Sequence, residues 1–509
     1  MSTFFKGLKP ERVWHHFKEI GKIPHGPGNE DGIRKYIADF AEKNGFEYYY
    51  KPDVSLTDYG QRVVVVYKKA TPGLENKPTV VLQSHLDMVC VPNDQIFPLK
   101  LQYCDSEGQP GNGWVKAGGY TDSDGTSLGA DDGIGVAIVL AILEETEGFG
   151  PIEGFFTVKE ETGMDGARDF DPGLLKGRVY INLDEEELQT ITYGCAGGLR
   201  STYHWKLNWE KVPNNRKCFN LKISGLKGGH SGISIHLGRA NAIKLVSELI
   251  DRAAREKIDF NISDFSGGNI AQSNVIPGSA QVTLIVKAED GERFTKLVTE
   301  IKTSLHQQYQ TVEDNLQVEW RETEIPVRMV DGKNTGKIID ALMEIPHGVM
   351  KMSAEREETV ETSTNLAAIA MNDQELMVVC MHRSSLESGL DWMKELHKNI
   401  AEKTAGRISV GERYPAWTPN ENSELLRKAK NVYNDQFNGN YSTRLIHAGL
   451  ECSWIVDKYR NNKPMDCIAV GPTVLDPHSR RERLEIESVP KVYECVLGIL
   501  RAYAKEDSE

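Results

Sequence analysis

Apolar positions along the chain follow two different spacings. Within residues 11–45 apolar side chains recur every three or four positions, the spacing of amphipathic helices, and two helices fit around an intervening loop. Short apolar runs rich in β-branched residues then indicate strands, and one longer apolar run indicates a buried helix. The strands are expected at 63–67, 79–82, 154–158 and 178–183, and the helix at 134–143. Strands that alternate with helices predict an α/β fold with a mostly parallel sheet covered on both faces.

The pattern changes near Gly197. Strands such as STYHWKLNW alternate polar and apolar residues, which is typical of a sheet with one solvated face, and they continue with helices to about residue 395. The first pattern then returns, with a helix, a short apolar strand and a final helix. We therefore predict a first domain formed by residues 1–196 and 396–509, interrupted by an α+β domain at residues 197–395.

The inserted domain contains a weak internal similarity. The segments SNVIPGSAQVTLIVKAEDGERFTKLVTEIK and STNLAAIAMNDQELMVVCMHRSSLESGLDWMKELHKNI each give a turn with Asn, a strand, a charged loop and an amphipathic helix. This order predicts an internal duplication into two tandem α+β halves. Two generic strand-helix units are the alternative.

Composition narrows the class of partner. The chain has 509 residues and a net charge of −14, which repels phosphate backbones and argues against nucleic-acid binding. No apolar stretch approaches the length of a bilayer span, and the start lacks the apolar core of a signal peptide, so no membrane insertion is expected. The eight cysteines are scattered without a C-x-x-C pair, which indicates reduced thiols and a cytoplasmic protein.

Metal-competent side chains cluster at the ends of the predicted strands and at the start of the apolar helix. They are His85 and Asp87, Asp131 and Asp132, Glu160 and Glu161, Asp184, and His478. Singly, each has an ordinary explanation as a structural histidine, a helix cap or a solvated turn. Open α/β folds build their sites at the carboxyl ends of strands, so the recurrence favours one shared site. Histidine with carboxylate suits two cations, Zn²⁺ first and Mn²⁺ or Co²⁺ next, whereas Glu185 to Glu187 look like a solvated charge run.

Seven motifs, spread over nearly the whole chain, resemble those of a known family. They are GWVKAGG, SLGADDGIG, EETGMDGA, GCAGGLR, LKGGHSG, HAGLEC and GPTVLDPHS. The resemblance is to co-catalytic zinc exopeptidases of the aminoacylase/carboxypeptidase family, and within it to the aminoacyl-histidine dipeptidases. Two departures affect local loop geometry: Asp132 stands where that subfamily commonly has Asn, and the loop at 118–127 is longer than expected.

The resemblance implies two Zn²⁺ ions per chain, replaceable by Mn²⁺ or Co²⁺. Metal one takes His85 and Asp184, metal two takes Glu161 and His478, and Asp131 bridges both. It further implies that Asp87 orients His85. Glu160 is then the general base that activates a water for attack on the peptide carbonyl.

Four further residues are implied in substrate binding. His230 in KGGHSG faces the oxyanion, Arg383 clamps the substrate carboxylate, and Asn274 donates to a carbonyl; a surface loop, a solvated strand end and a turn are the respective alternatives. Glu451 meets the free amino terminus of the substrate. We expect one chain to build a complete site, with any homodimer not required for it.

The predicted function is metal-dependent hydrolysis of unblocked dipeptides, with Xaa-His, including β-Ala-His, as the leading substrate class. One alternative is an N-acyl amino-acid deacylase on the same metal site, which would have no need of Glu451. A second is a non-catalytic metal- or peptide-binding protein. The presence of Glu160, which need not bind either metal, argues against the second alternative.

Overall fold

The chain forms two compact units in a computed structural model that describes residues 4–505 apart from 122, 146, 355, 357 and 462. Unit 1 comprises Met1–Gly194, Pro419–Leu445 and Leu450–Glu509, and unit 2 comprises Cys195–Thr418 and Ile446–Gly449. No disulfide joins the cysteines of the described residues, and all except Cys90 are buried.

The described strands, numbered in chain order, fall into four sheets. Their bounds are β1 Glu47–Tyr49, β2 Val64–Lys68, β3 Val80–His85, β4 Leu101–Cys104, β5 Trp114–Gly118, β6 Gly125–Thr126, β7 Ile152–Thr157, β8 Val179–Asn182, β9 Thr190–Cys195, β10 Gly197–Lys206, β11 Trp209–Lys211, β12 Arg216–Ser224, β13 Phe260–Gly268, β14 Ala280–Lys287, β15 Gln317–Thr323, β16 Arg328–Val330, β17 Gly348–Met352, β18 Val360–Met371, β19 Glu375–Ser384, β20 Arg407–Tyr414, β21 Ser442–Ile446, β22 Asp466–Ala469, β23 Val474–Leu475 and β24 Arg483–Glu485.

The described α-helices are numbered in the same way. Their bounds are α1 Glu11–Ile20, α2 Asp31–Lys43, α3 Tyr59–Arg62, α4 Ala130–Leu143, α5 Glu160–Gly163, α6 Asp165–Asp169, α7 Ala242–Arg255, α8 Gly291–Tyr309, α9 Gly332–Glu344, α10 Glu387–Lys403, α11 Glu424–Phe437, α12 Cys452–Tyr459 and α13 Ser488–Ala504. Within the described ranges, no helix has the combined length and apolarity that crossing a membrane requires.

Unit 1 is built on an eight-stranded sheet in the order β1-β2-β7-β3-β8-β22-β9-β21. The four central strands β7, β3, β8 and β22 are parallel to one another. Antiparallel strands flank them, with β2 beside β7 and β9 beside β22. The predicted α/β class is confirmed, with parallel pairing at the centre of the sheet.

Helix α4 explains why the centre of unit 1 is so apolar. Its sequence, ADDGIGVAIVLAIL, has no polar face, and every residue from Asp132 to Leu143 is buried. It packs against β3 and β7 on one side and against the amphipathic α1 on the other. Because each buried Val, Leu or Ile side chain contributes about 1.5–3 kcal/mol, this helix anchors the strands beside it. Its amino terminus therefore has a fixed place at the edge of the sheet.

Unit 2 is built on a nine-stranded sheet whose main path is β15-β12-β14-β13-β18-β19-β10-β20. The first half of the path belongs to the repeat β12-α7-β13-β14-α8-β15. The second half belongs to an equivalent repeat, β10-α9-β18-β19-α10-β20, with the same order of elements. The two repeats meet at the centre, where β13 pairs with β18.

The repeats are nested rather than tandem, which corrects the predicted arrangement. Strand β10 pairs with β19 and β20 of the second repeat, yet the whole first repeat lies between β10 and α9 in the chain. The unit also ends later than predicted. Helix α10 runs through residue 395 and β20 pairs with β10, so the chain returns to unit 1 only at Pro419.

Candidate active site

The predicted metal ligands lie at one edge of the unit 1 sheet. His85 is the last residue of β3, Asp184 follows β8, and Glu161 lies in α5 directly after β7. Because these strands are parallel, their carboxyl ends meet at the same edge. Asp131 joins them from the start of α4, and His478 joins them from the loop between β23 and β24.

Asp131 stands between two histidine-carboxylate pairs. Its Oδ1 lies 3.0 Å from His85 Nε2, and its Oδ2 lies 2.9 Å from His478 Nε2. Asp184 Oδ1 is 3.5 Å from His85 Nε2, and Glu161 Oε2 is 2.8 Å from His478 Nε2. All five residues that the resemblance assigned to the metals are therefore together. With Glu160 we call them the acid cluster.

Electrostatics within the acid cluster are dominated by burial and like charge. Burial, followed by the charge of Asp131, raises the pKa of Glu161 to about 7. Burial raises the pKa of Asp184 to about 6, partly offset by His85. For Asp131 and His478 burial opposes the charged form. Their mutual hydrogen bond, together with the hydrogen bonds and opposite charges of His85 and Glu161, outweighs it. The pKa of Asp131 is thus lowered, and that of His478 is raised to about 12.

The donor set fits divalent cations. His85, Asp131 and Glu161 offer ligand atoms that all lie within 4.8 Å of one another, and so do His85, Asp132 and Asp184. The Oε1 atom of Glu161 is buried and has no hydrogen-bond partner in the described part of the chain. Imidazole nitrogens with carboxylate oxygens are ligands that Zn²⁺ and similar ions accept, and cations would relieve the repulsion among the carboxylates.

Asp87 links the end of β3 to the turn that carries Glu160. Its carboxylate accepts hydrogen bonds from the backbone N–H groups of Glu160, at 3.0 Å, and Glu161, at 3.2 Å. The nearer acceptor for His85 Nδ1 is the Asp87 carbonyl oxygen at 3.0 Å, whereas the carboxylate lies 3.8 Å away. Burial, reinforced by the charges of Asp184 and Glu161, raises the pKa of Glu160 well above its ordinary value.

Asp132, the predicted departure from the family pattern, points back into the fold. Its side chain is buried and accepts hydrogen bonds from Ser84 Oγ and from the backbone N–H of His85. Burial, with the charge of Asp184, raises the pKa of Asp132 well above its ordinary value. Within the longer 118–127 loop, position 122 lies outside the described residues.

Glu451 is fully buried within unit 1. Its Oε2 accepts hydrogen bonds of 2.6 Å from both Gln83 Nε2 and Thr157 Oγ1, whereas its Oε1 has no hydrogen-bond partner among the described residues. Burial raises the pKa of Glu451 to about 8. The contact of Glu451 with a substrate amino terminus stays a prediction.

The run Glu185 to Glu187 is not uniformly solvated, contrary to the prediction. Glu185 is buried and pairs with Arg444 and with Thr192 Oγ1. Burial, with the charges of Asp131 and Asp184, raises the pKa of Glu186 to about 8, so this side chain belongs to the surroundings of the acid cluster. The position of Glu186 two residues after Asp184 was the available signal.

A second polar group in unit 2 centres on Arg383, which is 4% exposed. Its guanidinium donates to Tyr414 Oη at 2.6 Å, lies 3.2 Å from His230 Nε2, and lies 3.4 Å from Ser231 Oγ. We call these four residues the arginine cluster. Asn274 lies beside it, where its carbonyl oxygen accepts the Ser231 N–H at 2.7 Å and its side chain is exposed.

Sequence reasoning missed Tyr414 and left the role of His447 open. Tyr414 ends β20, beyond the predicted end of the inserted domain, so it was not considered with Arg383. His447 belongs to unit 2, where its Nε2 lies 2.7 Å from Ser363 Oγ, and burial lowers its pKa to about 3.

Two sequence comparisons place the chain among peptidases. Residues 221–313 match the peptidase dimerisation domain of the M20 type. The chain is also 34% identical over 501 residues to the cytosol non-specific dipeptidase of Escherichia coli (strain K12), covering 97% of this chain and 98% of that protein.

Solved structures agree with this placement. The aminoacylhistidine dipeptidase of Vibrio alginolyticus superposes with a TM-score of 0.81 at 33% identity, covering 99% of each chain. A tripeptidase from Staphylococcus aureus subsp. aureus Mu50 superposes with a TM-score of 0.54 at 17% identity, covering 98% of this chain and 100% of that chain, which shows the fold alone.

The fold and the acid cluster define a peptidase of the M20 type. Within that class, the chain belongs to the family of the cytosol non-specific and aminoacylhistidine dipeptidases. The family resemblance seen in the sequence motifs is thereby confirmed, as is the prediction of a hydrolase.

Proposed function

We propose that the protein is a cytoplasmic metallodipeptidase that cleaves unblocked dipeptides, with Xaa-His, including β-Ala-His, as the leading substrate class. The observation that carries the proposal is Asp131, whose two oxygens face His85 and His478, with Glu160 in the turn beside them. The names of the Escherichia coli and Vibrio alginolyticus relatives support the substrate class, and the first also supports the compartment.

We propose two divalent cations per chain, Zn²⁺ with Mn²⁺ or Co²⁺ as substitutes. His85 and Asp184 would hold one, Glu161 and His478 the other, and Asp131 would bridge them. Bound cations of this kind lower the pKa of a water and polarise a carbonyl oxygen. The two oxygens of Asp131, each within hydrogen-bonding distance of a different histidine, support the bridging role.

Glu160 is the proposed general base. Glu160 is adjacent to the proposed ligand Glu161, and the Asp87 carboxylate accepts its backbone N–H, which supports a carboxylate base beside the metal ligands. Glu160 takes a proton from the attacking water as the water oxygen bonds to the peptide carbon. It then returns the proton to the leaving nitrogen, so that the C–N bond breaks to give a free acid and a free amine. Asp87 holds the Glu160 backbone and so orients this exchange.

The arginine cluster and its neighbour Asn274 are proposed to bind the substrate. Arg383 would take the terminal carboxylate, because its hydrogen-bond partners are Tyr414, His230 and Ser231 rather than a carboxylate, and its charge is available to an anion. His230 would donate to the oxyanion and Asn274 to a carbonyl oxygen. The exposed side chain of Asn274 is consistent with this role.

A substrate panel tests the function against the deacylase alternative. Purified protein with measured metal content is offered free Xaa-His dipeptides, other free dipeptides and their N-acetylated forms. We expect cleavage of the free dipeptides and little cleavage of the acetylated ones. The opposite preference would establish the deacylase, and the absence of any cleavage by metal-loaded protein would favour the non-catalytic alternative.

We also propose that catalysis does not require a homodimer, because unit 2 already contains both repeats of its sheet within one chain. The test mixes inactive His230→Ala protein with inactive Glu160→Gln protein under conditions of subunit exchange. No recovery of activity is expected. Substantial recovery would show that one chain completes the site of another.

A further inference from the structure

Glu482 is a buried carboxylate that neither the metal ligands nor the proposed proton transfer uses. It is 2% exposed and lies in unit 1, four residues after His478 and directly before β24. Its two oxygens accept hydrogen bonds from four consecutive backbone N–H groups at the junction between the preceding loop and the start of α4. These are Leu128 at 2.7 Å, Gly129 at 3.1 Å, Ala130 at 2.7 Å and Asp131 at 3.4 Å.

These N–H groups need an acceptor from outside their own segment. The first N–H groups of a helix have no intrahelical partner, and a buried N–H without an acceptor destabilises the fold. Gly129 adopts a left-handed φ of 68°, which wraps the loop so that its N–H groups converge. A single carboxylate, with two oxygens and about four lone-pair sites, can satisfy all of them.

The same short turn also carries a proposed ligand. His478 and Glu482 are joined by Ser479, whose Oγ donates to the Asp476 carbonyl and accepts the Arg481 N–H. Asp131 therefore meets this turn twice. Its side chain contacts His478, and its backbone N–H contacts Glu482. The turn thus sets both the direction and the distance of Asp131 from His478.

We propose that Glu482 is the positioning residue of the bridging site: it holds the 128–131 loop so that both oxygens of Asp131 face the two histidines. This inference rests on the proposed function and deepens it. Glu482 does not touch substrate or metal, and it acts through the geometry of Asp131. Residues that hold metal ligands in place typically change metal affinity or activity by about 10- to 100-fold when replaced.

The test is a Co²⁺ titration of the metal-free full-length protein, followed by visible absorption, for wild type, Glu482→Gln and Glu487→Gln. Glutamine keeps the size of the side chain but offers one acceptor oxygen in place of two. We expect Glu482→Gln to bind Co²⁺ about 10- to 100-fold more weakly, with an altered absorption spectrum. With Co²⁺ in excess, KM for a dipeptide should stay near the wild-type value while kcat falls. Glu487→Gln removes the same charge at an exposed position and should match wild type.

Circular dichroism establishes that each variant is folded before the titration. If Glu482→Gln does not fold, Glu482→Asp, which keeps the charge but shortens the side chain, takes its place with the same expected weakening. A folded Glu482 variant with wild-type Co²⁺ affinity and spectrum would overturn the inference alone. Failure of the wild type to bind Co²⁺ would overturn the proposed metal site and this inference with it.

Discussion

The acid cluster of unit 1 and the arginine cluster of unit 2 are both largely buried, but they carry opposite charge. In unit 1, carboxylates outnumber the two histidines, and burial raises the pKa of Glu160, Glu161 and Asp184. In unit 2, Arg383 bonds to Tyr414, His230 and Ser231, and within the described ranges no carboxylate oxygen lies within 4.0 Å of its guanidinium. Each cluster thus has an unbalanced charge.

The difference indicates what each region is built to receive. A buried surplus of negative charge is costly unless cations compensate it, and a buried guanidinium without a carboxylate partner can pair with an anion. By contrast, the network of Arg34 and Arg62 with Glu30 and Asp31 contains two charges of each sign. Burial of a charged group alone therefore does not identify a candidate site residue.

Metal removal should have the largest effect on activity, because it leaves the negative charge of the acid cluster in unit 1 without compensating cations. Exhaustive chelation is expected to abolish dipeptide hydrolysis, and Zn²⁺, Mn²⁺ or Co²⁺ should restore it. Metal analysis of the chelated protein is the control. Full activity in protein shown to contain no metal would refute the claim that the negative charge of the acid cluster serves to bind catalytic cations.

Replacing Glu160 or Glu161 by glutamine distinguishes the residue that carries the proton from a residue that binds metal. Glu160→Gln should keep the metals but lower kcat by about 10²- to 10⁴-fold, as for a lost general base. Its neighbour Glu161→Gln is the matched control and should lose metal as well as activity. Near-normal kcat in Glu160→Gln would show that another group moves the proton.

Arg383→Lys tests whether the arginine cluster binds the substrate carboxylate. Lysine keeps the charge but loses the planar fork that binds a carboxylate through two N–H groups. KM for a free dipeptide should rise about 10- to 100-fold, the worth of a charged hydrogen bond, while hydrolysis of the C-terminal amide should change little.

Arg413→Lys is the matched control, since that arginine already pairs with Glu387 and Asp391 in the same unit. It should leave the preference for the free carboxylate intact. If Arg383→Lys raised KM equally for the dipeptide and for its amide, Arg383 would not be the residue that recognises the substrate carboxylate.

The smallest expected effect is that the stabilities of unit 1 and unit 2 depend on pH in opposite directions in the metal-free protein. Glu161 and Asp184 have pKa values raised to about 7 and about 6, so unit 1 should lose stability as pH rises through that range. Burial lowers the pKa of His347 to about 4 and of His397 to about 3. Unit 2 should therefore lose stability as pH falls below about 6.5 toward those values.

Peptide-resolved hydrogen exchange, corrected for the intrinsic effect of pH, measures both units in one experiment. Peptides of β3 and β8 should gain protection from pH 8 to pH 5, and peptides of β18 and α10 should lose it below pH 6. If protection changed in the same direction with pH in both units, the proposed electrostatic difference between them would be wrong. Adding Zn²⁺ should suppress the loss of protection in unit 1 alone.

The acid cluster was accessible from sequence because its members come soon after apolar strands or, in the case of Asp131, at the start of an apolar helix. His85, Glu161 and Asp184 lie at or just beyond strands whose parallel pairing brings them to one edge. Glu482 and Tyr414 gave no such signal: one contacts backbone N–H groups, which any sequence possesses, and the other ends an ordinary alternating strand. Contacts with backbone leave no residue pattern.

The fold shows the same limit. The strands and helices that the sequence predicted in unit 1 lie within a few residues of those observed, because local spacing determines them, although several short elements of that unit were not predicted. The nested order of unit 2 was not, because β10 is separated from the rest of its repeat by the entire first repeat. Comparing adjacent segments can reveal a duplication, but it cannot reveal which distant strand completes the second copy.

The nesting of the repeats has a consequence for how the chain folds during synthesis. Strand β10 emerges before every other strand that lies wholly in unit 2, yet its partners β19 and β20 are among the last. The first repeat is contiguous, and pairing among its own strands shortens the loop that β10 must close and lowers the entropic cost of closing it. Until then β10 presents unpaired backbone edges, the feature that promotes association with other chains. The interval before β19 emerges is therefore when the nascent chain is most exposed to misassembly.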